Sequence, residues 1–304
     1  MPSAVPTRRD FLRKIPAAAA LIAAHEVLGF EGQSALPTAT TQAGSEGRSA
    51  EPLIKGLRLL TASPLGLMRE FYGEKLGLSV VHEKEGELGF AGGATRLTFV
   101  TVSPDQLHGD GGRGRGEPFY HFAFNIPPDK LQAGRAWQLE RTPLIEPRPG
   151  LRDPLYPDDV WHFRHWNAHS IFFWDPAYNI VEFIARHDLK AGASDGSREG
   201  LFTTADILYA SEIGYVFDPT QQVRGAEFVH RKLGLRPYPR GTDSVWAMGD
   251  EHGLLLCLAR KGEPWGEHTG TPVKWDVFPT EATIRGSPPG THEFDGFPYR
   301  VHVE

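Results

Sequence analysis

An internal repeat constrains the fold of this 304-residue chain more than any other feature of its sequence. The segments FYGEKLGLSVV, from Phe71, and FVHRKLGLRPY, from Phe228, both place an aromatic residue four positions before Lys-Leu-Gly-Leu. In each copy a strand-like run and a proline precede a helix-like segment, and short strand-like runs follow it. The glycine is suited to end the helix. The repeated unit is therefore predicted to be β-α-β-β-β.

A weaker copy lies between these two. HFAFNIPPDK reads as a strand and a turn, LQAGRAWQLER as a helix, and DDVWHFRHW, HSIFFWDP and NIVEFIAR as strands. Asp-Pro-Ala-Tyr-Asn at residues 175–179 has the composition of a turn and predicts a hairpin between the last two strands. The segments KWDVFPTEATIRG and PYRVHVE predict a further β-hairpin and do not read as a complete fourth copy. An α+β fold of repeated modules is therefore expected.

Glu182 calls for a chemical explanation. It alternates with Ile180 and Ile184 along a strand whose other face carries Val181 and Phe183. A carboxylate buried in such a strand costs several kcal/mol unless it is paired, coordinated or protonated. The residues alone leave three partners open: a metal ion, an arginine or histidine, or a proton.

Together these features resemble the vicinal oxygen chelate superfamily, which includes glyoxalase I, extradiol ring-cleavage dioxygenases, fosfomycin-resistance enzymes and bleomycin-binding proteins. The likeness rests on the repeated units, the HFAF strand and the DPAYNIVEF pattern, and it covers residues from about 55 to 260. It implies cupped mixed sheets with helices on the outer face. It also implies a two-module domain over residues 55–190 and a third βαβββ-like module with a C-terminal β-hairpin over residues 205–304.

In this superfamily the metal ligands lie on strands that line a cup. Matched residue by residue, the resemblance implies that His121 and Glu182 are metal ligands. Along HFAFNI, His121 shares one face with Ala123 and Asn125, and the phenylalanines on the other face are expected to pack under the helix. Imidazole and carboxylate together suit a divalent ion such as Fe, Mn, Zn or Ni.

The first unit departs from the family pattern. Its first strand has Leu57 or Arg58 where a ligand is expected, and its fourth strand has Thr98 where glutamate is common. A third ligand would then come from His169, His165 or His162. His169 or His165 would alternatively serve as a catalytic acid or base.

Other residues are candidates for substrate binding. Trp161, Arg164 and Trp166 are expected to form a pocket wall for an aromatic or anionic substrate, or else a strand with mixed faces between units. Arg58 is expected to hold a substrate carboxylate or to pair with a glutamate. Glu212 opens the strand EIGYVF of the third unit, and we expect it to be a solvated edge residue rather than a ligand.

The N-terminal fifty residues have a different character. TRRDFLRKIPAAAALIAA combines basic residues with a short apolar run and resembles a twin-arginine export signal, so residues 1–50 are predicted to be a signal and linker. This implies a periplasmic or extracellular protein without a membrane span in its mature form. The net charge of −6 argues against nucleic-acid binding. The single cysteine, Cys257, is predicted to be a buried strand residue.

Two functions follow as hypotheses. The first is an exported metalloenzyme, similar to glyoxalase or extradiol dioxygenases, that acts on a small substrate with vicinal oxygens. The second is a metal-free binding or sequestering protein of the bleomycin-resistance type, in which His121 simply pairs with Glu182. A homodimer is a further expectation. The third unit would mainly form the dimer contact, or it would instead cover a sheet edge.

Overall fold

The computed structural model describes residues 53–103, 117–147, 149–189, 200–238, 245–260 and 276–304. The signal that we predict at residues 1–50 lies outside these ranges. No helix within them has the length and apolar composition needed to cross a bilayer.

The described residues form fourteen strands and three main helices. The strands are β1 (Ile54–Thr61), β2 (Ser79–Lys84), β3 (Glu87–Gly92), β4 (Thr95–Thr101), β5 (His121–Asn125), β6 (Trp161–Phe163), β7 (Ala168–Trp174), β8 (Ile180–Arg186), β9 (Tyr209–Phe217), β10 (Val245–Asp250), β11 (Gly253–Ala259), β12 (Thr280–Ile284), β13 (Gly290–Glu293) and β14 (Tyr299–Val303). The helices are α1 (Leu65–Met68), which continues as a π-helical Arg69–Lys75, α2 (Leu131–Leu139) and α3 (Gln222–Leu233). Short 3₁₀ turns cover Pro128–Lys130, Pro149–Leu151, Arg164–Trp166 and Thr204–Asp206.

The predicted α+β fold of repeated βαβββ modules is confirmed. The order β1-α1-β2-β3-β4 forms the first module, and β5-α2-β6-β7-β8 forms the second. The third module is β9-α3-β10-β11. In place of its missing strand, the segment 236–238 runs along β10, where Tyr238 N donates to Ala247 O over 2.7 Å and Gly249 N donates to Arg236 O over 2.8 Å.

The repeated glycine ends a helix in both copies. Gly77 has a φ of 71° and Gly234 a φ of 70°, a conformation that costs little only for glycine. In α3, which Gly234 caps, Ala226, Val229 and Leu233 recur at helical spacing and are buried. They pack on the second sheet beside buried Cys257, as the sequence predicts for that residue.

The modules pair in an order that the chain order does not suggest. The strands run β13-β14-β12-β1-β4-β3-β2 in one seven-stranded sheet and β10-β11-β9-β5-β8-β7-β6 in the other. The C-terminal strands therefore form a partial fourth module, with β14 parallel to β12 and antiparallel to β13. The first module pairs with this partial module, and the second pairs with the third. The region 55–190, which we predicted to be one two-module domain, spans both sheets.

The turn at residues 175–179 fixes the register of β7 against β8. The buried Asp175 carboxylate accepts hydrogen bonds from Ala177 N (2.8 Å), Asn179 N (2.9 Å) and the Tyr72 hydroxyl (2.8 Å). Asn179 in turn accepts from Tyr120 N over 2.9 Å, which ties the turn to the start of β5. The predicted hairpin is confirmed. Burial raises the pKa of Asp175 to about 6.

Apolar residues fill two regions. The larger core joins the helices to both sheets and contains Phe122 and Phe124, the outer face of β5, as the alternation of HFAFNI predicts. The second region lies on the opposite face of the β5 sheet, and we call it the cup. Its members include Trp161, Phe172 and Leu256.

Tyrosine hydroxyls link the two sheets. Tyr299 on β14 accepts from Val216 N over 3.0 Å and donates to Val216 O, at a point where β9 has run past the end of β5. Tyr120, before β5, accepts from Leu60 N over 3.2 Å and donates to Pro279 O over 2.8 Å. Both hydroxyls satisfy backbone groups that would otherwise be buried without partners.

We expect Tyr299→Phe to lower the free energy of unfolding by about 2 kcal/mol, because it leaves the buried Val216 amide and carbonyl unpaired. Tyr215→Phe is the matched control. The Tyr215 hydroxyl is buried beside Tyr299 and has no hydrogen-bond partner among the described residues, so its loss should be neutral or stabilising. Urea unfolding of both variants measures the difference, and equal destabilisation would contradict the assigned role of Tyr299.

Candidate metal centre

Adjacent strands bring one histidine and two glutamates together in the cup. Ala123 on β5 lies opposite Glu182 on β8 and opposite Glu212 on β9, so the two carboxylates flank it. His121 lies two residues earlier on the same face of β5. Because Ala123 carries only a methyl group, its side chain leaves space between the two carboxylates.

The ligand atoms of these residues are close and buried. His121 Nε2 is 3.4 Å from Glu182 Oε2 and 3.5 Å from Glu212 Oε2. All three ligand atoms lie within 4.8 Å of one another. The relative exposure is 5% for His121 and 2% for each glutamate, so water does little to screen the charges.

Hydrogen bonds outside the cluster orient two of its members. His121 Nδ1 donates to Ile180 O over 3.2 Å. Since a carbonyl only accepts, Nδ1 carries a hydrogen, and Nε2 is the ring nitrogen that faces the carboxylates, which is the arrangement found around metal-bound histidines. The Arg186 guanidinium donates to Glu212 Oε1, which leaves Oε2 directed at His121.

The donor set suits a divalent cation. Burial, and next the negative charge of Glu212, raise the pKa of Glu182 well above its usual range. Two buried carboxylates that face an imidazole nitrogen require a proton or a cation between them. One imidazole and two carboxylate oxygens match the preferences of Fe, Mn, Zn and Ni, so these residues fit the ion that the sequence resemblance implies.

Glu212 overturns one expectation. We predicted a solvated edge residue, but β9 pairs with β5 on one side and β11 on the other, so Glu212 lies in a central strand. The local cue in the sequence is that Glu212 opens the run EIGYVF as His121 opens HFAFNI, but the strand pairing is needed to show that the two residues meet. β5 and β9 are antiparallel around the pair Phe122 and Ile213, and a two-fold rotation about that pair brings Glu212 onto the position of His121.

The same rotation identifies a fourth ligand position, the one that corresponds to Glu182. Gly214 on β9 corresponds to Ala123, and Leu256 lies opposite Gly214 as Glu182 lies opposite Ala123. The fourth ligand position is therefore occupied by a leucine. A cation held here would have three protein ligands and open coordination positions, the pattern of catalytic rather than structural metal sites.

The first sheet has the same geometry without the ligand set. The pair Leu57 and Ala282 is its centre. The positions of His121, Glu182, Glu212 and Leu256 are held there by Gly56, Thr98, Glu281 and His302, in that order. Arg58 takes the place of Ala123. Its guanidinium is 2.5 Å from Glu87 and 3.9 Å from Glu281, and its side chain is 39% exposed. Arg58 therefore lies on a different sheet from His121 and pairs with glutamates.

Aromatic side chains, among them those of Trp161 and Trp166, form the wall of the cup. The Trp161 indole donates to Ile145 O over 2.8 Å, and its ring contacts Phe172 at 4.9 Å. The Phe172 ring is 6.1 Å from the His121 ring. Further apolar members are Phe119, Leu151, Phe163, Trp174, Ile180, Ile184, Leu254 and Leu258.

The residues of the short turn Arg164–Trp166, which we predicted to be site residues, point to different environments. Trp166 is buried in the cup, whereas Arg164 is exposed. The ring of His165, between them, is 5.7 Å from that of Trp166. The described contacts do not bring Arg164 or His165 to the three candidate ligands.

His169 lies on the opposite face of the sheet from Glu182. It is paired with Ala185, whereas Glu182 is paired with Phe172, and neighbouring residues of a strand point to opposite faces. His169 Nε2 donates to Asp153 Oδ2 over 3.1 Å, and His187 Nε2 donates to His169 Nδ1 over 2.8 Å. These residues form a second polar cluster outside the cup.

Two more rings complete this second cluster. His162, paired with His169 across β6 and β7, stacks on it at 4.3 Å, and Tyr156 stacks on His169 at 3.9 Å. His162 Nδ1 is 3.5 Å from Asp153 Oδ2. Burial lowers the pKa of His169, although its hydrogen bond to Asp153 opposes that shift.

The lowered pKa predicts a pH-dependent contribution to stability. The unfolded chain protonates this ring near its ordinary pKa of about 6.5, above the pKa in the folded state. The contribution of His169 to stability is therefore complete above the unfolded-state pKa of about 6.5. It is lost as the pH falls from there through the lower pKa of the folded state. Between about pH 8 and about pH 5, we expect wild type to lose more free energy of unfolding than His169→Gln does. Chemical denaturation at both pH values measures this, and equal losses would contradict it.

Comparison with known proteins gives structural neighbours but no close relative. No family model matches the chain, and no curated protein matches it. A candidate dioxygenase from Bacillus subtilis is 13% identical over 84% of this chain and 86% of its own, with a TM-score of 0.49. A glyoxalase/bleomycin resistance protein/dioxygenase from Nocardioides is 20% identical over 48% of this chain and 91% of its own, with a TM-score of 0.32.

A glyoxalase I variant from Zea mays gives a third comparison. It is 10% identical over 83% of this chain and 92% of its own, with a TM-score of 0.41. These three structures carry glyoxalase, bleomycin-resistance and dioxygenase names. At these identities no activity is transferred from them.

Proposed function

We propose that this protein is a metal-dependent enzyme of the vicinal oxygen chelate type, acting in the cup on a small substrate with vicinal oxygens. The observation that carries the proposal is the buried set of His121, Glu182 and Glu212. Three preorganised donors around a shared space, two of them acidic and one of these already paired with Arg186, are costly to bury without a further cation or a proton.

Each part of the site has a role in this proposal. His121, Glu182 and Glu212 would hold the ion, which would act as a Lewis acid toward adjacent substrate oxygens. Leu256 leaves the fourth ligand position to substrate. The aromatic wall around Trp161 excludes water, and electrostatic interactions are stronger in such a medium than in bulk solvent.

Two reaction types are compatible with this donor set, a glyoxalase-like isomerisation and an extradiol ring cleavage. Activation of dioxygen requires a redox-active ion such as Fe or Mn, whereas Zn suits a reaction without a redox step. The identity of the native metal therefore distinguishes the two types.

We also propose that the protein is exported, on the basis of residues 1–50 alone. The paired arginines Arg8 and Arg9 and the apolar run after them support the twin-arginine route. A chain whose only cysteine is Cys257 needs no intrachain disulfide outside the cytoplasm.

The metal hypothesis predicts the metal content of the full-length protein purified without a tag. Elemental analysis should find about one Fe, Mn, Zn or Ni per wild-type chain. Loss of a ligand in Glu212→Gln or His121→Ala should weaken binding by more than the roughly 10–100-fold typical of outer-shell changes.

Glu281→Gln is the matched control, since Glu281 occupies the position of Glu212 in the first sheet. It should retain the metal of wild type. The enzyme proposal fails if wild type carries no stoichiometric metal and gains none when these ions are added. A metal-free binding protein is then the better reading.

Export predicts a change in location for a variant in which Arg8 and Arg9 are both lysine. Wild type should fractionate with the periplasm or medium, and the double variant should remain in the cytoplasm. Arg13→Lys, a change of the same kind outside the arginine pair, is the control. Equal distribution of all three proteins would contradict the twin-arginine route.

A further inference from the structure

Arg186 is a buried cation with unused hydrogen-bond donors. Its relative exposure is 1%. One terminal nitrogen donates to Glu212, but Nε and Nη1 are buried and have no hydrogen-bond partner among the described residues. An unsatisfied polar group of a buried ion is expensive, and native structures rarely retain one without a reason.

Arg186 places its guanidinium on the cup face of the sheet, in contact with the candidate ligand Glu212. Arg186 lies on β8 at the same alternation as Glu182 and therefore faces the cup. Its Cζ is 5.5 Å from the Trp166 ring and 6.0 Å from the Tyr238 ring. The Tyr238 hydroxyl donates to Glu251 over 3.1 Å.

The charges of the cup leave room for an anion. Glu182 and Glu212 together balance a divalent ion, and the Arg186 guanidinium then adds one positive charge that no described cup residue offsets. Burying an excess charge is unfavourable, so a substrate that brings one negative charge would neutralise the filled site. A planar carboxylate accepts two parallel hydrogen bonds along one edge of a guanidinium. Nη2 carries a second hydrogen besides the one donated to Glu212, and together with the unused Nε or the unused Nη1 it forms such an edge.

We propose that Arg186 forms an anion subsite, so that the substrate carries a carboxylate in addition to its vicinal oxygens. This inference rests on the proposed function and narrows its substrate to the class of monoanionic carboxylates. The aromatic wall formed by Trp161, Phe172 and Trp166 favours a flat apolar body between the two polar ends.

A matched pair of probes tests the subsite. Protocatechuate has vicinal hydroxyls and a carboxylate, and its primary amide has the same shape without the charge. Both are titrated calorimetrically into the full-length metal-loaded protein. We expect wild type to bind the carboxylate at least about tenfold more tightly than the amide. Arg186→Gln should abolish the preference, and Arg186→Lys should retain part of it.

The outcomes separate the subsite from the proposed function. Metal content and thermal unfolding of each variant first establish that it folds and retains the ion. If the folded, metal-loaded wild type binds both probes equally, or binds neither, the carboxylate class is wrong while the metal proposal stands. An unchanged preference in Arg186→Gln also rejects the subsite. If wild type takes up no metal, the proposed function itself fails.

Discussion

Two buried carboxylates that face one imidazole nitrogen are the interaction on which the site depends. Glu182 and Glu212 come from different modules and lie on either side of Ala123. Their proximity in an apolar cup is unfavourable without a positive charge. The proposed divalent ion between them, with Arg186 behind Glu212, would resolve this conflict and would account for the direction in which His121 Nε2 points.

The two sheets share the same strand arrangement but carry different side chains at the equivalent positions. In the second sheet a small residue, Ala123, leaves space that suits an ion. In the first, Arg58 fills the corresponding space, and its hydrogen bond lowers the pKa of Glu87 to about 2. That pair lies at a half-exposed surface, where an ion pair contributes little to stability. Of the two sheets, as far as the structure describes them, the second is the one whose cup combines charge, enclosure and open ligand positions.

Local patterns in the sequence predicted what is local in the structure. The KLGL glycines, the turn that begins at Asp175 and the alternation of HFAFNI all concern neighbouring residues, and all were confirmed. Glu212 depended instead on which module pairs with which, and no short-range pattern specifies that pairing. The placement of His169 was accessible in principle. The 175–179 turn sets Phe172 opposite Glu182, so an odd-numbered residue of β7 must face away from it.

The most direct test of the account is X-ray absorption spectroscopy at the edge of the metal bound to the wild-type protein. The arrangement of His121, Glu182 and Glu212 predicts one imidazole nitrogen and otherwise oxygen ligands, at about 2.0–2.2 Å for an ion such as Zn. A shell with two or more imidazoles would contradict it, because His121 is the one histidine among the candidate ligands in the described part of the cup. Such a result would instead place the ion at Asp153, His162 and His169 on the opposite face.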